Sequence, residues 1–185
     1  MLFCSSLSIF WIVSPAGATS VPRLSFEAMT DRSELVLSGE ITRSWTDWDS
    51  EHKFIWTHHE VAVLSSQKGA PASTVVFSEP GGVVGNRGMA IAGSVAYRAG
   101  DRVVVFLERM PNGYLRTTGW GQGKYSLDKA GRLHADESLH GTEVLNAQTA
   151  PPSETSLRSL DGMSVTELRA RVAARVRSQR QARKQ

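Results

Sequence analysis

Cysteine is almost absent from this sequence, because Cys4 is the only one among 185 residues. It lies within residues 1–18, which have the features of an export signal. The apolar stretch from Leu2 to Val13 is followed by Ala16-Gly17-Ala18, a small-residue sequence typical of signal cleavage. The mature chain would then begin at Thr19 and contain no cysteine. This excludes disulfides, cysteine-ligated zinc and a cysteine nucleophile, so the hydrophobic core alone must stabilise the fold.

Basic residues and long apolar stretches are both missing from the N-terminal end. No Lys or Arg precedes the apolar stretch, although a positively charged start is usual for an export signal. The stretch is only about a dozen residues long, whereas a membrane-spanning helix needs about 20 apolar residues, which favours a cleaved signal over a permanent anchor. The sequence therefore predicts an exported protein that is periplasmic or extracellular.

Recognisable catalytic and cofactor motifs are also absent. The nucleophile pattern G-x-S-x-G and the zinc pattern H-E-x-x-H do not occur. Gly119–Lys124 superficially resembles a phosphate-binding loop, but its glycines have the wrong spacing, and Tyr125 stands where that motif has a Ser or Thr. Bulges or close backbone approach explain these glycines better. We therefore assign no catalytic residue, no metal ligand and no cofactor from motifs.

Acidic residues are scarce at the C-terminal end, which makes the charge distribution uneven. From Thr166 to Gln185 there are seven basic residues and one acidic residue, a net charge of +6. The remainder has 14 basic and 17 acidic residues, so the net charge of +3 comes from the C-terminal segment. An arginine-rich segment attracts anionic partners through long-range electrostatics, and the candidate contacts are Arg169, Arg171 and Arg175.

A basic helix is predicted over residues 163–185. Ser164-Val165-Thr166-Glu167 matches a capping box, in which the Ser and Glu side chains satisfy free N–H groups at a helix start. The apolar stripe behind it is narrow and contains no aromatic residue, which disfavours membrane insertion. Contact with an anionic membrane surface stays open, and nucleic acid is the less favoured partner. Residues 140–162, rich in Ser, Thr, Pro and Ala, are predicted to be a linker.

The segment 19–139 is predicted to be an antiparallel β domain, because short apolar segments alternate with turn residues roughly every ten residues. Its clearest part is Val103–Leu107, five consecutive apolar residues that predict a strand buried on both faces. Pro111-Asn112-Gly113 then predicts a turn. A short helix, capped by Ser25 and ending near Arg32, precedes the strands. The other predicted strands are Glu34–Trp45, Phe54–Leu64, Thr74–Phe77, Met89–Ala92, Tyr114–Trp120, and the hairpin of Gly123–Leu127 with Arg132–His134.

Three segments resemble the netrin-like and tissue-inhibitor-of-metalloprotease proteins. They are Leu35–Ile41, Val61–Leu64 before the Lys68-Gly69 turn, and Gly100–Leu107. The chain is also similar to uncharacterised exported bacterial proteins in having Pro80-Gly81-Gly82, Ala92-Gly93 and Gly121–Lys124. Together these segments cover residues 24–127.

The resemblance implies a fold and a binding role. The fold would be mostly β, a small antiparallel OB-like barrel, here with a short N-terminal helix and a C-terminal basic helix. In the inhibitors of this group an N-terminal cysteine chelates the zinc of the target protease. The mature chain has no cysteine, so the resemblance implies no zinc-chelating site here.

Tryptophan offers the best lead to a contact surface. Trp45 and Trp48 lie in a polar segment that continues to His52, and exposed aromatic residues often form contact surfaces. These three residues are the candidate contact surface, with core packing of the two rings as the alternative. Trp56 and Trp120 are predicted to pack in the core. The leading hypothesis is an exported, non-enzymatic module that binds an unknown protein or ligand.

Histidine supplies a rival hypothesis. On a strand, His58 and Glu60 share one face while His59 points to the other. His58 and Glu60, with His52 or a residue that the fold brings near, would be the ligands of a metal-assisted hydrolase. A third hypothesis makes the β domain a carrier of the basic helix, which would bind anionic surfaces.

Overall fold

A computed structural model describes residues 21–135, 144–145 and 160–184. The predicted export segment and most of the predicted linker lie outside the described residues. The described chain is mostly β, with an antiparallel sheet, a short N-terminal helix and a C-terminal helix. These coarse features of the predicted fold are confirmed.

Eleven strands and two α-helices make up the described part of the chain. In chain order they are β1 (Val21–Pro22), α1 (Phe26–Arg32), β2 (Leu35–Trp48), β3 (Ile55–Lys68), β4 (Thr74–Pro80), β5 (Gly82–Val84), β6 (Arg87–Met89), β7 (Arg102–Arg109), β8 (Leu115–Thr117), β9 (Lys124–Leu127), β10 (Leu133–Ala135), β11 (Val144–Leu145) and α2 (Val165–Ala182). One antiparallel sheet has the order β10-β9-β7-β2-β3-β4, and β8 pairs with the end of β7. β5 and β6 form a small hairpin, and β1 pairs in parallel with β11.

The centre of the sheet is β7, which is buried on both faces as predicted. Val103, Val105 and Leu107 point into one hydrophobic core, and Val104 and Phe106 point into another. All five are at most 1% exposed. The alternation of side chains along a strand explains how one apolar run supplies both cores.

The first core lies inside the curved sheet. It is formed by side chains of β2, β3, β4, β7 and β8, together with Val95 and Tyr97 from the irregular segment before β7. Gly39 of β2 lets β3 approach closely, because a Cβ atom at this position would lie 2.3 Å from the carbonyl oxygen of Ala62. The close pairing of the two long strands therefore depends on this glycine.

The second core lies between the other face of the sheet and the two helices. Phe26 and Met29 of α1 pack there, as do Leu168 and Val172 of α2. Leu160, at the end of the predicted linker, is buried with them. Both helix caps match prediction: the Ser25 side chain accepts the N–H of the third following residue, and α2 begins with a complete capping box. The apolar stripe of α2 is thus used to dock on the sheet.

One predicted strand was misplaced. Met89–Ala92 is not a strand; instead Arg87–Met89 pairs with Gly82–Val84 across the tight Gly85-Asn86 turn. Of the two interpretations open for the polar segment after Trp45, a loop or a flared hairpin end, the structure has the hairpin end, because β2 continues to Trp48 and pairs with β3 residue by residue. Cross-strand hydrogen bonds hold this polar hairpin end in an extended form that local composition does not indicate.

The sheet does not close through backbone pairing between β4 and β8 in the described chain. A side chain bridges the two strands instead. The backbone N–H of Thr117 in β8 donates to Oε1 of Glu79 in β4 at 2.9 Å. The space between β4 and the β7–β8 hairpin is called the seam below.

Candidate functional site

The three predicted contact residues lie on one hairpin but not on one surface. Trp45 pairs with His58 across β2 and β3, and Trp48 pairs with Ile55. Because successive residues of a strand point to opposite faces, Trp45 and Trp48, three positions apart, are on opposite sides of the hairpin. The predicted contact surface is therefore divided in two.

Trp48 and His52 remain together. Their rings stack, with centroids 6.3 Å apart and planes inclined by 20°. His52 has a left-handed backbone, with φ of 54°, in the turn between β2 and β3. Both residues border an open cavity of about 520 Å³ that also contacts Arg87 and Met89 of the small hairpin. This side offers one stacked pair and no continuous aromatic surface.

Trp45 belongs to a larger group of rings on the other face, called the aromatic row below. It consists of Trp45, His58, Tyr114 and Trp56. The ring centroids of Trp45 and His58 are 5.3 Å apart. The Tyr114 ring packs edge-on against His58 and Trp56, with centroid distances of 5.6 and 5.2 Å. All four side chains are half-buried. The row lies near the end of β2 that is far from Val36, the residue of β2 that packs beneath the helices in the second core.

Tyr114 joins the row from a distant part of the chain. It follows the Pro111-Asn112-Gly113 turn and precedes β8, and it reaches across the seam to β3. The sequence predicts a strand at this position and indicates no functional role for the tyrosine. Trp56 was predicted to be a core residue, but the structure places it half-buried in the row. Trp120, also expected in the core, is half-buried beneath the guanidinium of Arg116, which lies 3.5 Å from its ring centroid.

His58 gives the row a polar group. Its Nδ1 lies 2.7 Å from the hydroxyl of Ser78 on β4. Burial lowers the pKa of His58 below its ordinary value, and the nearby Asp47 opposes this shift. The ring is therefore uncharged at neutral pH, and the hydroxyl of Ser78 holds its orientation.

The hydrogen-bond pattern of β4 identifies which backbone groups are paired with β3. Gly81 N–H donates to Ile55 O, and Val63 N–H donates to Ser73 O, each at 2.8 Å. In an antiparallel pair, hydrogen-bonded positions alternate with positions whose backbone groups point away. Since residues 73 and 81 both bond to β3, the odd-numbered residues of β4 do so, and the even-numbered ones face the seam.

Three residues of β4 therefore form its free edge: Thr74 and Val76, which are exposed, and Ser78, which is only 2% exposed. Within the described residues, their N–H and C=O groups on this side have no backbone partner. The edge borders a groove of about 530 Å³ whose opposite wall is the segment Gly113–Leu115. Val76 is 43% exposed in this groove. One end of the aromatic row, Tyr114 with His58, lines the same groove.

The rim of the groove carries little net charge. Arg109 makes a two-fold ion pair with Glu34, with N–O distances of 2.7 and 2.8 Å. On the aromatic face, Arg43 stacks over Trp45 at 4.6 Å and bonds to Glu60 at 2.9 Å. The surface therefore suits an uncharged ligand with apolar parts.

Two titratable groups are buried on the inner side of the same strands. Glu79 is 1% exposed, and burial raises its pKa to about 7, although the hydrogen bond from Thr117 and the charge of Arg116 oppose this. His59 is 2% exposed, and burial, assisted by the charge of Lys124, lowers its pKa to about 4. Both groups are thus held in their neutral forms more strongly than in water.

The residues of the rival metal hypothesis are engaged elsewhere. Glu60 accepts hydrogen bonds from Thr42 and Arg43, at 2.7 and 2.9 Å, while His58 contacts Ser78 and His52 stacks on a tryptophan. In residues 21–135, 144–145 and 160–184, no three His, Cys, Asp or Glu side chains converge as metal ligands.

The three predicted anion contacts on α2 are not equivalent. The guanidinium of Arg171 lies 4.4 Å from the ring centroid of Phe26, and Arg175 forms a two-fold ion pair with Asp31, its Nε 2.7 Å from Oδ1. Both arginines therefore hold α2 against α1. Arg169 is exposed and is the one of the three that a partner can reach directly.

Comparison with known proteins gives no family assignment: no family model matches the chain, and no curated protein matches it. Among the described residues, no helix has both the length and the apolar character needed to cross a membrane.

Proposed function

We propose that this protein is an exported, non-enzymatic binding module that takes an extended peptide segment of a partner protein into the seam groove. The observation that carries the proposal is the free edge of β4 lying beside the aromatic row. A strand edge with unpaired N–H and C=O groups is a template for a further strand. Neighbouring rings supply the side-chain contacts that make such binding selective.

The strand order supports an OB-like barrel as the scaffold. β2, β3 and β4 follow one another, β7 returns beside β2, and β8 lies opposite β4, bridged by the bond between Thr117 and Glu79. In this interpretation the seam is the incompletely paired junction of the barrel. The arrangement also favours the resemblance to the netrin-like and metalloprotease-inhibitor proteins. The export segment at residues 1–18 would place the module in the periplasm or outside the cell.

A peptide suits the groove better than a polyanion does. The cation at its rim, Arg109, is already paired with Glu34, and the cation beside the aromatic row, Arg43, is paired with Glu60. A single-stranded nucleic acid needs stacking rings together with a positively charged groove, and only the rings are present. A peptide strand would instead meet the exposed backbone edge at Thr74 and Val76, together with the edge of the Tyr114 ring.

The experiment is a selection of random peptides, displayed on phage, against residues 19–185. Enriched peptides are then measured with the Val76→Pro and Val76→Ala variants. Proline removes the free N–H at an edge position where it is tolerated, whereas alanine keeps it. We expect Val76→Pro to weaken binding by about tenfold or more and Val76→Ala by only a few-fold.

Tyr114→Ala tests the aromatic row separately, and we expect about a tenfold loss. Val83→Ala, an equally simple change at a distant valine that is 62% exposed, is the control and should change nothing. Circular dichroism verifies that each variant is folded. Peptides that bind Val76→Pro as tightly as the wild type, or a selection that enriches none, would contradict the proposal.

A further inference from the structure

The outward flank of α2 carries a line of exposed cations, called the basic stripe below. Its members are Arg169, Arg177, Arg180 and, just after the helix, Lys184. With 3.6 residues per turn, the three arginines lie within about 80° of arc and span about 17 Å along the helix axis. They are therefore neighbours on one surface and not scattered around the helix.

None of these four side chains has an acidic partner in the described chain. In the helical region Arg175 pairs with Asp31, and at the cap the carboxylate of Glu167 accepts hydrogen bonds from the backbone N–H and the hydroxyl of Ser164. The ion pair is on the flank that faces α1. The stripe thus keeps its full positive charge, and the compensating anions must come from outside the described chain.

The helix cannot contribute an apolar face to a partner, because that face is already occupied. Leu168 and Val172 are fully buried against the sheet. The exposed side next to the stripe carries the small Ala170 and Ala174, so the backbone of α2 can approach a flat surface while longer arginines reach its anions. This geometry fits peripheral electrostatic contact and not insertion.

We infer that the basic stripe binds the anionic headgroups of a phospholipid membrane surface. The exposed flank has no aromatic ring on which a base could stack, and the predicted export of the chain favours lipid headgroups as the abundant polyanion. Each cation close to an anionic membrane strengthens binding by roughly fivefold. This surface is separate from the seam groove, so the inference stands independently of the proposed peptide binding.

The test is co-sedimentation of residues 19–185 with vesicles of phosphatidylcholine that contain about 30 mol% phosphatidylglycerol, at about 0.15 M salt. Vesicles of phosphatidylcholine alone are the lipid control. The stripe variant combines Arg169→Gln, Arg177→Gln, Arg180→Gln and Lys184→Gln; glutamine is a good helix former. We expect the wild type to bind only the anionic vesicles, and the stripe variant to bind them at least about 100-fold more weakly.

A charge-matched variant separates the stripe from net charge. It combines Arg87→Gln, Arg98→Gln, Arg102→Gln and Lys129→Gln, all at exposed positions of the β domain, and should bind like the wild type. The inference would be overturned if the two variants lost equal affinity for anionic vesicles. It would also be overturned if the wild type bound neutral and anionic vesicles equally well. Failure to bind anionic vesicles together with tight retention of duplex DNA would also overturn it, and would assign the stripe to nucleic acid.

Discussion

Replacing Glu79 with Gln should make the stability of this protein depend on pH in the opposite sense from replacing His59. The two side chains are buried in the inner layer of neighbouring strands, and each is kept neutral by its surroundings. Arg116 is the charged group that faces Glu79, whereas Lys124, His58 and Asp101 act on His59. Their pKa values move in opposite directions through the same pH range.

For Glu79 the pKa rises from 4.5 to about 7 on folding. The folded state therefore holds the proton more tightly, so the stabilisation is complete below pH 4.5 and is lost as the pH rises through 7. One pKa unit corresponds to about 1.4 kcal/mol, which gives about 3 kcal/mol for this group.

For His59 the pKa falls from 6.5 to about 4 on folding. The unfolded state then holds the proton more tightly, so the stabilisation is present above pH 6.5 and is lost as the pH falls through 4. The magnitude is again about 3 kcal/mol. In the wild type the two dependences largely cancel.

Single substitutions should separate the two dependences. The assay is urea unfolding of wild type, Glu79→Gln and His59→Gln at a series of pH values from about 4 to 7.5. The quantity compared is the difference in unfolding free energy from wild type at each pH, which removes the contributions of the other carboxylates. The loss of unfolding free energy caused by Glu79→Gln should be about 3 kcal/mol larger at pH 4 than at pH 7. The loss caused by His59→Gln should be about 3 kcal/mol larger at pH 7 than at pH 4.

Each substitution also changes stability by an amount that does not depend on pH. The test is therefore whether the difference in unfolding free energy between variant and wild type varies with pH. A difference that does not vary with pH for Glu79→Gln would mean that its carboxyl titrates as it does in water, and the reasoning from burial would be refuted for that group. The same outcome for His59→Gln would refute it for the imidazole.

Two stability predictions concern the packing of the long strands and of α2. Gly39→Ala should lower the free energy of unfolding by about 3 kcal/mol, because the new Cβ atom would meet the carbonyl oxygen of Ala62. The control Gly88→Ala should have little effect, because no atom lies closer than 3.7 Å to its Cβ position. Equal losses of stability in denaturant unfolding would disprove the close approach at Gly39. Leu168→Ala should lower the free energy of unfolding by about 3 kcal/mol, because it leaves a cavity under α2. The control Leu64→Ala changes a side chain that is 64% exposed and should lower it by well under about 1 kcal/mol. A small loss for Leu168→Ala would mean that α2 is not docked on the sheet.

Local sequence patterns are sufficient to specify several short elements of this protein. The buried strand Val103–Leu107, the helix capped by Ser25, the capping box at Ser164 and the final small hairpin all occur as predicted. Each depends on residues within a few positions of one another, through side-chain alternation, turn chemistry or a cap bond. Such interactions are encoded locally and are readable without knowledge of the fold.

The candidate site, in contrast, is assembled by tertiary contacts. Trp45, His58 and Tyr114 come from three separate elements, and strand pairing together with the crossing of the seam places their rings in contact. The separation of Trp48 from Trp45 follows from β2 continuing as a strand through a polar segment. The free edge of β4 exists because β8 forms its backbone pairs with β7, and in the described chain β8 bonds to β4 through the side chain of Glu79. These features depend on contacts between residues distant in sequence, whose free energies no local pattern contains.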